Sequence, residues 1–296
     1  MNMTRAWLII ADFLVVALLF ISIILFYLYP THTLKVSIDQ NRTISLPYLD
    51  KNVSLENIEL DENRNETMSL EEFMRMANEE LSKKEYIEIL HNKYLDDSLN
   101  KRFSDTNTSM GNSIFIRIFK KEALLEVWIE KDDKYIHLKD YKICSYSGYL
   151  GPKLKEGDRQ SPEGFYKVGR SSLNPNSKFH LSFNLGYPNA YDRAHNRTGS
   201  FLMVHGNCVS IGCYAMTDSK IEDIYALVEA ALNHKQKIVQ VHIFPFRMSS
   251  ENIAAYENSR WYDFWLNLKE GYDYFESEHT PPNITVKNKL YDISES

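Results

Sequence analysis

Met203-Val204-His205-Gly206-Asn207-Cys208-Val209-Ser210-Ile211-Gly212-Cys213-Tyr214 places one histidine and two cysteines within nine positions, with two glycines among them. The apolar run over 201–204 reads as a strand that ends at His205. Glycines at 206 and 212 let the backbone turn sharply before Cys213 is delivered. A free thiol titrates at about 8.5, so a cysteine nucleophile at neutral pH needs a base or a positive field beside it. A strand carrying His205 and a loop carrying Cys213 supply such a pair. Backbone N–H groups near Gly212 and Cys213 would face the same space, as an oxyanion hole requires. The same residues also admit a plainer reading, with both cysteines packed as small apolar side chains and His205 hydrogen-bonded in the core.

Outward from this stretch the periodicity alternates between strand and helix. Thr217-Asp218-Ser219 with Glu222 opens a helix whose apolar face holds Ile221, Ile224, Tyr225, Val228 and Leu232. Ile114, Ile116 and Ile118 alternate with Phe115, Arg117 and Phe119, a period of two. Lys131-Asp132-Asp133-Lys134 reads as a hairpin turn between strands at 124–129 and 135–138. Further strands are expected at 141–145, 165–168, 179–185 and 238–244, and an aromatic-rich helix over 250–275. The result is a β-rich α+β region with added helices.

Upstream, residues 7–29 form a 23-residue apolar segment whose only charge is Asp12. As a helix it would span about 35 Å, enough for a hydrocarbon core of roughly 30 Å. It has no small-x-small cleavage site, and Phe26-Tyr27-Leu28-Tyr29-Pro30 suits a membrane–water interface. An uncleaved anchor, N-terminus inside, is therefore expected over a cleaved signal. Ser69 and Glu72 make a capping box before apolar residues at helical spacing, which predicts two helices over 69–94. The net charge is −6, and all of it lies in 31–110, which holds 10 basic and 16 acidic side chains, whereas 111–296 holds 23 of each. An acidic spacer and a balanced main region exclude a general nucleic-acid binder. Four parts follow: a tip and anchor (1–30), an acidic spacer with helices (31–110), a catalytic region (111–280) and a tail (281–296). Three cysteines, Cys144, Cys208 and Cys213, are too few for a disulfide scaffold.

Ser210-Ile211-Gly212-Cys213, preceded by His205-Gly206, resembles the signature of the L,D-transpeptidase catalytic domain family, the YkuD-type fold. Other stretches resemble its YafK-like murein L,D-endopeptidase subgroup. They are Ser147-Gly148-Tyr149-Leu150-Gly151-Pro152-Lys153, then Glu156-Gly157-Asp158-Arg159-Gln160-Ser161-Pro162-Glu163-Gly164-Phe165-Tyr166, then Asn184-Leu185-Gly186-Tyr187-Pro188-Asn189-Ala190-Tyr191-Asp192-Arg193-Ala194-His195, and Phe244-Pro245-Phe246-Arg247-Met248. The resemblance covers roughly 112–280. Two positions depart from the broad pattern: Ile211 stands where the family has His, and Ala215 where it has Arg after the cysteine.

The resemblance implies Cys213 as nucleophile, His205 as proton donor and acceptor, Gly212 as a backbone oxyanion donor and Ser210 as an orienting or oxyanion residue. The substrate would be a peptidoglycan stem peptide, attacked at diaminopimelate to give a thioacyl-enzyme without any cofactor. An amine acceptor completes transpeptidation, and water completes hydrolysis, which in the subgroup releases a peptidoglycan-linked lipoprotein. Tyr187, Tyr191 and Arg193 are the expected substrate contacts, with Arg193 or Arg197 taking a carboxylate in the absence of the family arginine. A periplasmic catalytic region on an inner-membrane anchor follows, with a cleaved, soluble periplasmic form as the alternative. Cys208 is expected as a packed thiol rather than a partner of Cys213, Cys144 as a core residue, and Glu156, Asp158 and Glu163 as a solvated loop or substrate rim.

Two readings of other classes compete. His205, Cys208 and Cys213 could hold zinc with Cys144 or His242, making a metal-binding or redox module on the membrane. Asn-x-Ser/Thr sequons at Asn41, Asn52, Asn65, Asn107, Asn196 and Asn283 would suit a glycosylated surface protein.

Overall fold

A computed structural model describes residues 97–295 together with three short strands, β1 (Ser37–Ile38), β2 (Thr43–Leu46) and β3 (Lys51–Ser54). Those three pair antiparallel in the order β1-β2-β3. The apolar segment 7–29 and the helices expected over 69–94 lie outside the described residues. Among the described residues, no helix is long and apolar enough to cross a membrane.

Residues 97–295 begin with α1 (Asp97–Thr106), then β4 (Ile114–Phe119), β5 (Leu124–Lys131) and β6 (Lys134–Lys142). All six residues of β4 are buried because the strand is covered on both faces. Ile114, Ile116 and Ile118 enter one core, while Phe115 and Phe119 face the aromatic side, where Phe115 meets Phe275 and Phe119 meets Phe244. Arg117 shares that second face and is buried against Glu126 at 2.9 Å. The alternation of isoleucine with larger side chains thus marks two packed faces rather than one wet face. The β5–β6 turn is as expected, with Asp132 and Asp133 both at positive φ, the conformation of a two-residue hairpin loop. Instead of two separate strands over 135–145, β6 runs unbroken to Lys142, and β7 (Ser145–Tyr146) follows.

The chain continues through β8 (Gly164–Val168), β9 (Leu173–Ser177), β10 (His180–Asn184), α2 (Ala190–Ala194), β11 (Met203–His205), β12 (Tyr214–Ala215), α3 (Asp218–Asn233) and β13 (Val239–Phe244). Two five-stranded sheets result, ordered β7-β12-β11-β10-β9 and β6-β5-β4-β13-β8. The apolar face of α3 packs into the larger core, which also holds Ile116, Val204, Phe183 and Val241. The helix expected over 250–275 is two, α4 (Ser250–Ala254) and α5 (Tyr262–Glu278). Residues 281–296 are not a bare tail. They contain a hairpin of β14 (Asn283–Lys287) and β15 (Leu290–Ser294), whose Tyr291 is buried and stacks on Tyr191.

Candidate active site

β11 lies at the centre of its sheet with β12 parallel beside it, pairing Val204 with Tyr214 and His205 with Ala215. Side chains alternate faces along a strand, so residues two apart share a face. Extending the register by one residue sets Cys213 opposite Met203. This pairing sets Cys213, the residue before β12, beside the strand that ends at His205, two register positions from the imidazole-bearing residue.

His205 is buried, and its Nδ1 lies 2.7 Å from the Gly206 carbonyl oxygen. A carbonyl only accepts, so Nδ1 carries the proton and Nε2 keeps a lone pair, the form a general base needs. The ring of Phe179 covers the imidazole, with centroids 4.6 Å apart. Burial holds the His205 pKa below its usual value, against the opposing pull of the Gly206 carbonyl.

Cys213 is the free cysteine and is partly exposed. Its thiol points at the Phe201 carbonyl oxygen, 3.7 Å from sulfur. Burial pushes the thiol pKa up, while the Met203 N–H and the positive charge of Lys153 act in the opposite sense. Burial thus favours the uncharged form of each group, the thiol of Cys213 and the imidazole of His205.

The turn before Cys213 is fixed by hydroxyl groups. Ser210 Oγ donates to the Cys213 carbonyl at 2.8 Å and accepts from the Gly212 N–H at 3.1 Å. Ser161 Oγ donates to the same carbonyl at 3.1 Å, and Ser147 Oγ lies 3.0 Å from Ser210 Oγ. Ser210 accordingly holds the turn, and the Gly212 N–H expected in an oxyanion hole is already engaged by it. Gly212 sits at φ +152°, where a side chain would be strained and would also crowd Leu202.

Other expectations change. Cys208 is neither a packed thiol nor joined to Cys213: it forms a disulfide with Cys144, which is not a simple core residue. Glu163 is not on a solvated rim but fully buried beside Lys120, 3.1 Å away. Asp158 accepts from the N–H groups of Leu154, Lys155 and Gln160 and pairs with Lys153. Tyr187 is buried with its hydroxyl donating to the Lys153 carbonyl, and Tyr191 is stacked between His195 and Tyr291. Both rings are spent on packing and offer a substrate almost no surface. Arg197 is buried against Asp192 at 2.8 Å, whereas Arg193 is exposed and donates to the Pro188 carbonyl. Ile211 is 82% exposed and Phe201 71% exposed beside the thiol, while Ala215 is fully buried in β12.

The zinc alternative loses its donors, because Cys144 and Cys208 are consumed by their disulfide and His242 is buried between Phe115 and Phe165. Among the described residues, no group of three His, Cys, Asp or Glu side chains is placed to hold a metal. Sequence reasoning missed Phe179, Lys120 and Met203. It also missed Lys153; Met203 and Lys153 had a signal, since each sits in a stretch quoted above, and Phe179 and Lys120 had none.

The family model of the L,D-transpeptidase catalytic domain matches residues 113–275. A protein named "Putative L,D-transpeptidase YafK" from Escherichia coli K12 is 50% identical over 185 residues, which span 62% of this chain and 75% of that protein. The protein of the same name from Escherichia coli O157:H7 matches equally. Among solved structures, the helical cell shape determining protein Pgp2 from Campylobacter jejuni matches at 22% identity and TM-score 0.37, over 60% of this chain and 67% of that one. Bd1075 from Bdellovibrio bacteriovorus matches at 17% identity and TM-score 0.34, over 60% and 78%. Likenesses of that strength carry no argument.

Proposed function

The chain belongs to the L,D-transpeptidase catalytic domain family of YkuD type, and from that membership we propose a cysteine enzyme that acts on peptidoglycan stem peptides at diaminopimelate. The observation that carries this reading is the bond from His205 Nδ1 to the Gly206 carbonyl, which leaves Nε2 as the basic nitrogen at the end of the strand that pairs with Tyr214 and Ala215, the residues following Cys213.

In the proposed reaction, His205 Nε2 takes the proton of Cys213 as sulfur attacks the carbonyl carbon of the scissile amide. The tetrahedral oxyanion needs a donor other than the Gly212 N–H, and we assign it to the N–H of Cys213 itself. His205 then gives its proton to the departing amine, leaving a thioester on Cys213. Attack by water, with His205 again as base, releases the shortened stem peptide; attack by an amine forms a new cross-link. Release of a peptidoglycan-linked lipoprotein is the hydrolytic form of the proposal. Exposed Arg193 is retained as a candidate contact for a substrate carboxylate. The location proposed is periplasmic, on an inner-membrane anchor formed by residues 7–29, whose apolar length supports it.

The test is to incubate the full-length protein with purified muropeptides, bare and lipoprotein-linked, with and without an added amine, and to resolve products by mass spectrometry. Cys213→Ala is expected to abolish product. Equal turnover by that variant would end the proposal.

A further inference from the structure

The carbonyl that orients His205 belongs to the peptide joining Gly206 to Asn207, and the other end of that peptide is also held. The Asn207 N–H donates to Asp218 Oδ1 at 2.7 Å, the same length as the bond from His205 Nδ1 to the Gly206 carbonyl. In a trans peptide the C=O and N–H point in opposite directions, so imidazole and carboxylate grip one amide group from its two sides. An anion accepting from the N–H polarises the amide and makes its carbonyl a stronger acceptor. The local fold is shaped around this contact. A Cβ on Gly206 would come within 2.6 Å of Asp218 Oδ1 and 2.9 Å of the Phe179 carbonyl, so only glycine permits it. Asn207 and Cys208 both hold positive φ without being glycine. That conformation persists where surrounding bonds determine it, here the Asp218 contact, the Cys208 N–H on the Met216 carbonyl at 3.0 Å, and the disulfide to Cys144. Asp218 opens α3, where a carboxylate is favoured by the helix dipole.

We propose that Asp218 is a positioning residue for the catalytic base, acting on His205 through the Gly206–Asn207 peptide in the role that a directly bonded carboxylate plays in a catalytic triad. The inference rests on the assignment of His205 as the base for Cys213. As His205 gains the Cys213 proton, the polarised carbonyl stabilises the imidazolium, and no proton leaves Nδ1. The other charged or titratable groups on the elements packed against β11 are the Cys213 thiol beside β12, Lys178 in the β9–β10 turn, His180 on β10, and Lys220, Glu222, Asp223 and Glu229 on α3. His180 and Glu222 pair with each other at 2.7 Å, Asp223 pairs with Lys139 at 2.9 Å, Lys220 donates to the Lys142 carbonyl, and Glu229 lies eleven residues further along α3, so Asp218 is the carboxylate bonded to the peptide that holds the imidazole.

The experiment compares full-length wild type, Asp218→Asn and Asp218→Ala by the rate of Cys213 alkylation with iodoacetamide across pH, and by kcat and KM on muropeptides. Losing a charge-assisted hydrogen bond predicts about a tenfold lower alkylation rate at pH 7 for Asp218→Ala. A smaller loss is expected for Asp218→Asn, which keeps an acceptor oxygen without the charge. In both variants the acid-side fall of the alkylation profile moves to lower pH, and kcat falls more than KM changes. Rates for Asp218→Ala within twofold of wild type would overturn the proposal. So would a lower rate with an unmoved acid limb and a lowered melting temperature, the pattern of a merely structural loss at the start of α3. Alkylation needs no substrate, so an alkylation response without any muropeptide turnover would leave the relay standing and defeat the proposed substrate instead.

Discussion

Lys120 and Glu163 form an ion pair from which solvent is fully excluded, with Lys120 Nζ 3.1 Å from Glu163 Oε1. Lys120 also donates to the carbonyls of Tyr149, Gly151 and Ser161, and Glu163 accepts from the Gly151 N–H and from Trp265 Nε1. Every hydrogen of the ammonium and both carboxylate oxygens are thus used to fix the 147–163 loop, whose Ser161 holds the Cys213 carbonyl. Lys120→Met leaves Glu163 buried without its cation, a change that costs about 3–5 kcal/mol in comparable buried pairs. Urea denaturation measures the loss, and a midpoint within error of wild type would show that the pair does not hold the loop.

The Cys144–Cys208 disulfide closes a sequence separation of 64 residues. In the chain-entropy account, a loop of that size stabilises the folded state by about 4 kcal/mol. Cys144→Ala with Cys208→Ala, or wild type in reductant, is expected to melt at lower temperature, and the two should agree. Mass analysis of the native protein treated with iodoacetamide should show one modified cysteine, Cys213. Three modified sites without reductant would mean that the disulfide is absent.

His242 on β13 is enclosed by Phe115, Phe165 and Phe244, with its Nε2 on Gln240 Oε1 at 3.1 Å and no partner for Nδ1. Burial, reinforced by Arg117 and Lys167, holds its pKa well below the usual 6.5. The unfolded chain therefore binds this proton at a pH where the folded chain does not. Stability is then fully present above pH 6.5 and falls as pH drops from there toward the folded pKa, by up to about 1.4 kcal/mol per pH unit for the one proton. His242→Phe should flatten that part of the stability–pH curve measured by denaturant titration. An unchanged slope between pH 6.5 and 5 would assign the effect to other groups.

Residues whose roles follow from their own spacing were legible. Ile114–Phe119 gave a strand, Asp132-Asp133 a tight hairpin and Ile221 to Leu232 a helix face, because each pattern is local. That the strand ending at His205 pairs with the residues following Cys213 was legible through the turn between them. What the sequence hid depends on distant partners. Cys208 looked like a packed thiol because its partner lies 64 residues upstream, and Glu163 looked like a rim carboxylate because Lys120 is 43 positions away. Tyr187 and Tyr191 sit in a stretch shared with the family, yet their rings are buried, Tyr187 beside Tyr166 with its hydroxyl on the Lys153 carbonyl and Tyr191 against Tyr291 of the β14–β15 hairpin, partners distant in sequence. The same hairpin was read as a tail, since Asn283–Lys287 has one short alternation and finds its stability against α5.

The pH dependence of turnover separates two ways in which Cys213 and His205 can share a proton. If they rest as thiolate and imidazolium, turnover appears as the thiol ionises and requires a thiol pKa well below that of His205. The structure favours the opposite order, with burial raising Cys213 above the ordinary thiol value and lowering His205 below its ordinary 6.5. The active form is then the neutral pair, which exists between those two ionisations. Protonating His205 removes the base, so kcat/KM should fall on the acid side with an apparent pKa under 6.5. Between pH 7 and 9 it should stay flat, since neither group titrates there. The His205 limb is fixed by enclosure under Phe179, and Phe179→Ala should move it toward 6.5 by admitting water to the ring. An acid limb above pH 7 would show that burial does not lower the base, and one that Phe179→Ala leaves in place would show that the limb belongs to the thiol of an ionised pair rather than to His205.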